Sequence, residues 1–390
     1  MQRVDKRKKD YKKHLLLYHK RMKIGVDIRS AGGFKAGKGW HAFRITRHLL
    51  KLDKKNQYIL YTNAAIAGFE EFKNVEMRIV EQRGLFWHRT VAKDILESEL
   101  DYFFAPSSYI IPALLPKSTK PGAPKTIIIV YDLIAILFKK MHLKKAVLIE
   151  KLFIKKALKK ATHLVCISEH TKKDLLEFMD IPEEKIALAY PASSSNFYPT
   201  EKGLEEFRNK TSLPKKFFLS LGTIEPRKNY ETLVQAFAMI HEKYPEHHLI
   251  IVGKKGWGSS YEELDKLVRE NYLQKYVHIL GYLTNRTINS LYNLATAFVF
   301  PTHYEGFGLP PLEAMQAGCP VIVSDNSALP EVVGEAGLYC DSEKPGEFAE
   351  AMEKLIKDEN LREQLINKGR IQSKKFSWED SAQKILNLFT

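Results

Sequence analysis

From residue 23 to residue 340 the chain alternates short apolar runs with longer stretches whose apolar residues recur at helical spacing. Residues 23–28, 58–61, 76–80, 102–105, 126–130 and 164–168 form the first set of runs, rich in β-branched and aromatic side chains. Each is followed by a loop or a helical pattern, which predicts a parallel sheet covered on both faces. Residues 190–212, rich in Ser, Pro and Asn, read as an interdomain linker, after which runs recur at 217–221, 248–252, 277–281, 297–300, 320–324 and 337–340. Two α/β domains follow, residues 22–200 and 201–375, and 390 residues suffice to give each its own core. Residues 376–390 open with Phe376-Ser377-Trp378 and read as an amphipathic C-terminal helix.

Ligands of open α/β sheets bind outside the carboxyl ends of the strands, so the residues there are the first candidates for function. After the first run come Gly32, Gly33, Gly37 and Gly39, then a helix from Trp40 to Leu50; this is a Rossmann-like opening without the G-x-G-x-x-G spacing. The run 126–130 ends in Tyr131-Asp132-Leu133, where Asp132 reads either as a turn cap or as an acceptor-orienting carboxylate. Ser168 reads as the N-cap of a helix from His170 to Met179. In the second half, Arg227 and Lys228 lie on a strand-to-helix turn, suited to an anion such as a diphosphate. Gly253 opens another glycine loop, and Tyr282 follows the run 277–281.

The densest pattern is residues 300–320, FPTHYEGFGLPPLEAMQAGCP. A strand runs into a loop carrying Glu305, and a helix follows that starts at Pro310 or Pro311, holds Glu313 about one turn inside, and stops at Gly318. The amides of Gly306, Phe307, Gly308 and Leu309 lie before the helix without helical partners, a ready seat for phosphate.

This block resembles the E-x7-E signature of retaining glycosyltransferases of family 4, in the fuller form E-G-F-G-L-P-x-L-E-A-M-x-x-G-x-P-V-I. The stretch from Val165 to Leu175, V-x-I-S-E-x-T-K-x-D-L, is also similar to that family. The resemblance implies the GT-B architecture, two Rossmann-like domains facing a cleft, with the acceptor on the first and the donor on the second. It implies transfer of a hexose from a nucleotide diphosphate sugar to a glycan or lipid-linked acceptor, with retention, in cell-envelope polysaccharide synthesis. Glu305 would lie beside the reacting carbon, Lys228 and Arg227 would grip the donor phosphates, and Glu313 would bind the ribose hydroxyls. Gly253 and Tyr282 are candidates for donor-base recognition, Gly37, Gly39 and Asp132 for the acceptor side of the cleft, and residues 376–390 would cross back to the first domain. Lys228 matches the family's lysine position, whereas in some members the arginine stands where this chain has Thr223. Tyr131 replaces a histidine frequent in the family, which removes a histidine base at that position. No metal or other cofactor is expected, since the cations and the helix end neutralise the diphosphate and no Asp-x-Asp motif is present.

Charge adds a direction to this picture. The net charge is +15, but residues 1–200 carry 38 Lys and Arg against 20 Asp and Glu, and residues 201–390 carry 23 against 26. Residues 138–160 hold nine lysines and one acid, Glu150, with an apolar stripe at helical spacing. An anionic membrane surface fits such a face, as does simple solvation. The basic leader, residues 1–21, is expected to be disordered. Cys166, Cys319 and Cys340 are dispersed, as in a reducing compartment, and no run reaches the ~18 to 20 apolar residues of a membrane span. The expectation is a cytoplasmic protein, peripheral on the inner face of the cytoplasmic membrane. A soluble small-molecule acceptor is one alternative; a nucleic-acid-binding role would need basic residues interleaved with aromatics on a recognisable module, and none is present.

Overall fold

The computed structural model describes residues 21–33, 37–137, 153–211, 213–256 and 258–389. Among them, the first domain carries a seven-stranded parallel sheet of β1 (Lys23–Asp27), β2 (Gln57–Thr62), β3 (Val75–Ile79), β4 (Tyr102–Ala105), β5 (Lys125–Val130), β6 (His163–Cys166) and β7 (Ile186–Leu188), in the order β3-β2-β1-β4-β5-β6-β7. The second carries six parallel strands, β8 (Lys216–Leu221), β9 (His247–Val252), β10 (Val277–Leu280), β11 (Ala297–Phe300), β12 (Val321–Ser324) and β13 (Gly337–Cys340), in the order β10-β9-β8-β11-β12-β13. Both orders are doubly wound, and in each the first strand sits inside the sheet, where the winding reverses direction. This is the GT-B architecture.

Seven helices position the cleft: α1 (Gly37–Leu52), α2 (Glu169–Phe178), α3 (Leu204–Thr211), α4 (Tyr230–His241), α5 (Leu309–Ala317), α6 (Leu329–Val333) and α7 (Trp378–Leu386). Two differ from the sequence expectation. The segment expected as linker, 190–212, contains α3, whose Glu205 and Glu206 in the first turn and Arg208 and Lys210 in the last complement the helix dipole. The glycine loop expected up to Gly39 ends earlier, and Gly37 and Gly39 form the first turn of α1. Strand β7 was absent from the sequence reading; it is a three-residue edge strand, too short to show a period.

The two domains share apolar packing. Phe307 of the second lies against Tyr190 at 6.2 Å and Phe376 at 5.4 Å between ring centroids, and the same buried cluster includes Trp378 and the first-domain residues Tyr131 and Ile167. Helix α7 lies on α1. Its N-cap, Ser377, accepts from the amides of Glu379 and Asp380, and Trp378 stands edge-on to His41 with Nε1 donating to the Ser193 carbonyl at 3.2 Å. Phe389, just beyond α7, meets Tyr102 edge-on.

The leader and Lys139, Lys140, Lys144, Lys145 and Lys151 lie outside the described residues. In the described helix 153–160, Ile154, Ala157 and Leu158 are buried, so the apolar stripe faces inward. Not every lysine faces out. Lys160 Nζ donates to the carbonyls of Ala113 and Leu115, closing a short helix, and Lys159 lies 3.8 Å from Asp180; Lys155 and Lys156 are exposed.

Trp378→Ala is expected to destabilise the first domain by about 3 to 5 kcal/mol through the cavity left on α1, read as a lower urea midpoint of that domain's transition. An unchanged midpoint would mean that α7 docks without contributing to the core.

Candidate active site between the domains

The site is built at the carboxyl ends of β8 and β11. Strand β8 ends at Leu221, and the chain turns through Gly222 into the 3-10 turn Pro226–Lys228, which is held at its exit by Asn229 with φ 52° and its side-chain amide on the Ser342 carbonyl at 2.8 Å. Gly253 packs under this turn: a Cβ there would lie 1.9 Å from the Gly222 carbonyl oxygen, so only glycine fits. Its amide donates to Leu280 at the end of β10. Gly253 therefore joins the two loops; Tyr282, expected beside it as a base-stacking ring, is 62% exposed at the end of β10.

Arg227 and Lys228 both reach Glu305. Arg227 Nη1 donates to Glu305 Oε1 at 2.5 Å, and Lys228 Nζ donates to the same oxygen at 2.6 Å. Arg227 is engaged further, with Nη1 on the Tyr304 carbonyl at 2.9 Å and Nη2 on Glu225 at 2.7 Å. Lys228 has, besides Glu305, only the Phe300 ring at 4.6 Å among the described residues. Glu305 is itself fixed by its amide, which donates to Ser327 Oγ at 2.9 Å. Burial alone would raise the Glu305 carboxyl, but Arg227 and Lys228 outweigh it and hold it below the ordinary glutamate range. The carboxylate is thus charged, nearly enclosed and shared by two cations.

Glu313, one turn into α5, differs. Among the described residues its carboxyl has no hydrogen-bond or ion-pair partner, and burial pushes its pKa up to about 8, against a smaller lowering by the Arg44 charge of α1. A half-buried carboxyl with no partner among the described residues is suited to hydroxyl groups that a ligand brings. Between the two glutamates, the amides of Gly306, Phe307, Gly308 and Leu309 find no acceptor among the described residues, and Gly308 forms the N-cap of α5 with φ 108°. The Phe307 ring is turned into the interdomain core, where Tyr190 and Phe376 offer it an apolar seat, while its amide remains with those of Gly306, Gly308 and Leu309.

The first domain supplies the opposite wall. Gly306 rests on it so closely that a Cβ would lie 2.0 Å from the Tyr131 carbonyl oxygen. The Tyr131 hydroxyl donates to the Pro106 carbonyl at 2.7 Å, so the contact with His41 Nδ1 at 3.0 Å has the imidazole N–H donating to the phenol oxygen. Burial, aided by Arg44, pushes the His41 pKa down to about 3, which keeps it neutral. Asp132 accepts from the Ile134 amide at 3.2 Å, a turn cap, and its charge also helps keep Arg227 protonated. Gly39 is buried in the first turn of α1 and Gly37 is exposed.

Residues that the sequence reading left out complete the contact. Ser168, read only as a cap, also donates to the Gly306 carbonyl at 2.7 Å, and Thr171 Oγ1 reaches the same oxygen at 3.2 Å. Tyr304 donates to Asp174, and Glu331 of α6 accepts from the amides of Glu169 at 2.8 Å and His170 at 3.4 Å. Ser168, Thr171 and Asp174 were visible in the sequence as parts of the second family-like stretch, but their partners lie more than 100 residues away. Among the described residues no group of three or more His, Cys, Asp or Glu could hold a metal ion.

The raised Glu313 pKa sets a stability dependence. The folded state keeps this proton up to about pH 8 while the unfolded chain releases it near 4.5, so the group's contribution falls as pH rises through that window. Glu313→Gln is expected to melt above wild type at pH 8.5, with the margin closing toward pH 5; equal melting curves at pH 8.5 would contradict the burial of a neutral carboxyl.

Comparison with known proteins adds sequence and fold likeness. Residues 203–372 match the family described as Glycosyl transferases group 1. The chain is 31% identical over 344 residues to the serotype-specific mannosyltransferase WbdA of Escherichia coli, covering 85% of this chain and 42% of that protein. It is 32% identical over 236 residues to the O-antigen chain mannosyltransferase B of Escherichia coli, covering 60% of this chain and 61% of that one. The chain thus spans less than two thirds of either relative. Among solved structures, Anabaena Alr3699/HepE in complex with UDP and glucose superposes with a TM-score of 0.76 at 17% identity, covering 94% of this chain and 99% of that one. WaaG, a glycosyltransferase involved in lipopolysaccharide biosynthesis, gives 0.73 at 15% identity over 94% and 99% of the respective chains. At these identities the likeness is one of fold.

Proposed function

We propose that this chain is a retaining glycosyltransferase of family 4 that moves a hexose from a nucleotide diphosphate sugar to a glycan or lipid-linked acceptor in cell-envelope polysaccharide synthesis. The observation that carries the reading is the single carboxylate oxygen of Glu305 held by both Arg227 and Lys228 beside four unpaired amides at the start of α5. The match to the group 1 family and the mannosyltransferase relatives support the reaction class, and mannose is the first sugar to test.

As the bond to the diphosphate breaks, negative charge grows on the leaving oxygen and positive charge on the anomeric carbon. In this reading the donor diphosphate takes over Lys228, Arg227 and the amides of 306–309, preorganised donors of which each is worth ~3 kcal/mol when removed. Glu305, relieved of its cations, faces the sugar and stabilises the developing positive charge. Glu313 accepts from the ribose hydroxyls. Lys228 is the better placed to transfer to phosphate, since Arg227 is tied to Glu225 and the Tyr304 carbonyl as well. With two cations already in place, the reaction is expected to proceed without a metal and to survive EDTA.

Glu305→Gln is expected to lower transfer by about 100-fold or more while keeping nucleotide binding, because the amide retains an acceptor oxygen but not the charge. Turnover near wild type, followed by mass spectrometry of products from UDP-, GDP-, ADP- and dTDP-hexoses with membrane extract, would overturn the assignment. Lys228→Ala is expected to lower turnover more than Arg227→Ala; the reverse order would route the diphosphate grip through Arg227.

The acceptor side is proposed to dock on an anionic membrane, the cytoplasmic leaflet, on the strength of the charge asymmetry between the two halves of the chain. No described helix is long and apolar enough to cross a membrane. Flotation with liposomes of graded anionic content is expected to show binding that falls with salt and with Lys155 and Lys156 changed to Gln. Indifference to lipid charge and to both lysines would favour a soluble acceptor.

A further inference from the structure

We propose that Ser168 and Thr171, at the start of α2 in the first domain, are positioning residues that aim the Phe307 amide of the second domain at the donor diphosphate. The inference rests on the function proposed above, in which the amides of 306–309 receive that diphosphate.

The peptide joining Gly306 to Phe307 is planar and trans, so its carbonyl and its N–H point in opposite directions. Its carbonyl oxygen is held on the first domain, at 2.7 Å from Ser168 Oγ and 3.2 Å from Thr171 Oγ1. The N–H of Phe307 must therefore point away from α2, back across the loop, and it has no acceptor among the described residues. Left alone, this peptide could flip, because Gly306 on its amino side tolerates most backbone angles. The two hydroxyls remove that freedom. Ser168 Oγ accepts from the Thr171 amide at 2.9 Å and donates to the Gly306 carbonyl, while Thr171 Oγ1, 2.9 Å from Ser168 Oγ, shares its one hydrogen between the Gly306 and Tyr131 carbonyls, both at 3.2 Å.

The surroundings make the hold stiff. Ser168 and Thr171 are fully buried, so water cannot replace them, and a peptide flip would leave a buried carbonyl unpaired. Two further contacts brace the second domain against α2, the Tyr304 hydroxyl of the same loop on Asp174 and the Glu331 carboxylate of α6 on the amides of Glu169 and His170. The phosphate-facing amide of one domain is thus set by side chains of the other, and donor binding depends on the two domains being in register.

The test compares inhibition constants for nucleoside diphosphates with those for nucleoside monophosphates, using UDP, GDP, UMP and GMP with the base that the wild type accepts, in Thr171→Val, Ser168→Ala and Thr171→Ser. Valine keeps the shape of threonine without its hydroxyl, and serine restores the hydroxyl. Thr171→Val and Ser168→Ala are expected to weaken diphosphate binding by roughly 10-fold while monophosphate binding stays within about threefold, and Thr171→Ser is expected to retain the wild-type ratio. A general loosening of the fold would weaken both ligands together, so a parallel loss overturns the inference, as does an unchanged ratio in all three variants. Wild-type protein that binds no nucleoside diphosphate overturns the proposed function and this inference with it; wild-type binding with an unmoved ratio overturns this inference alone.

Discussion

The absent side chain of Gly306 sets how closely the two sheets meet. Its α-carbon lies against the Tyr131 carbonyl, leaving room for hydrogen but not for a methyl group, and the neighbouring hydrogen bonds from Ser168 and Thr171 can form only at that separation. Any larger residue would part the carboxyl edges of the sheets and open the loop that carries Glu305. The aromatic packing of Phe307 on Tyr190 and Phe376 then fills the space behind the contact and gives it apolar support.

Electrostatics at the site follow from this closeness. Glu305, Arg227 and Lys228 are all largely removed from water, and a buried charge is tolerable only when its partners are in place. Three charges of mixed sign satisfy one another, and any anion bound there would compete with Glu305 for both cations. Glu313 follows the opposite course: with no cation in contact, burial of its carboxyl raises its pKa to about 8. The two glutamates of one motif are therefore shifted in opposite directions, Glu305 downward by its two cations and Glu313 upward by burial.

Much of the fold was legible because parallel strands buried on both faces leave continuous apolar runs, and the corner around residues 300–320 carries its own helix punctuation in Pro310, Pro311 and Gly318. Strand β7 escaped because three residues on a sheet edge carry no period, and α3 escaped because the Ser and Pro residues around it dominated the composition. At the site, the pairing of Arg227 and Lys228 with Glu305 could not be read from spacing, since 77 residues separate Lys228 from its partner. The spacing gave no sign of where the Phe307 ring goes; its seat against Tyr190 and Phe376 is formed by residues far away in sequence, while its amide stays in the loop beside Glu305. His41 gave no local signal, for its role depends on Tyr131, 90 residues away.

Helix α7 has a consequence for how the chain reaches this state. It packs on α1 and bonds through Trp378 to Ser193, so the first domain is discontinuous in sequence, with the whole second domain inserted between its parts. During synthesis the second domain emerges and can close its sheet while α1 still shows an uncovered apolar face. That face waits for a segment more than 300 residues downstream of α1, and domains that fold in order along the chain are in this interval open to misassembly. The same topology joins the domains by two chain crossings, one before β8 and one before α7. Two tethers permit a rocking motion about the line between them and resist a free swivel, so the joint behaves as a door on two hinges.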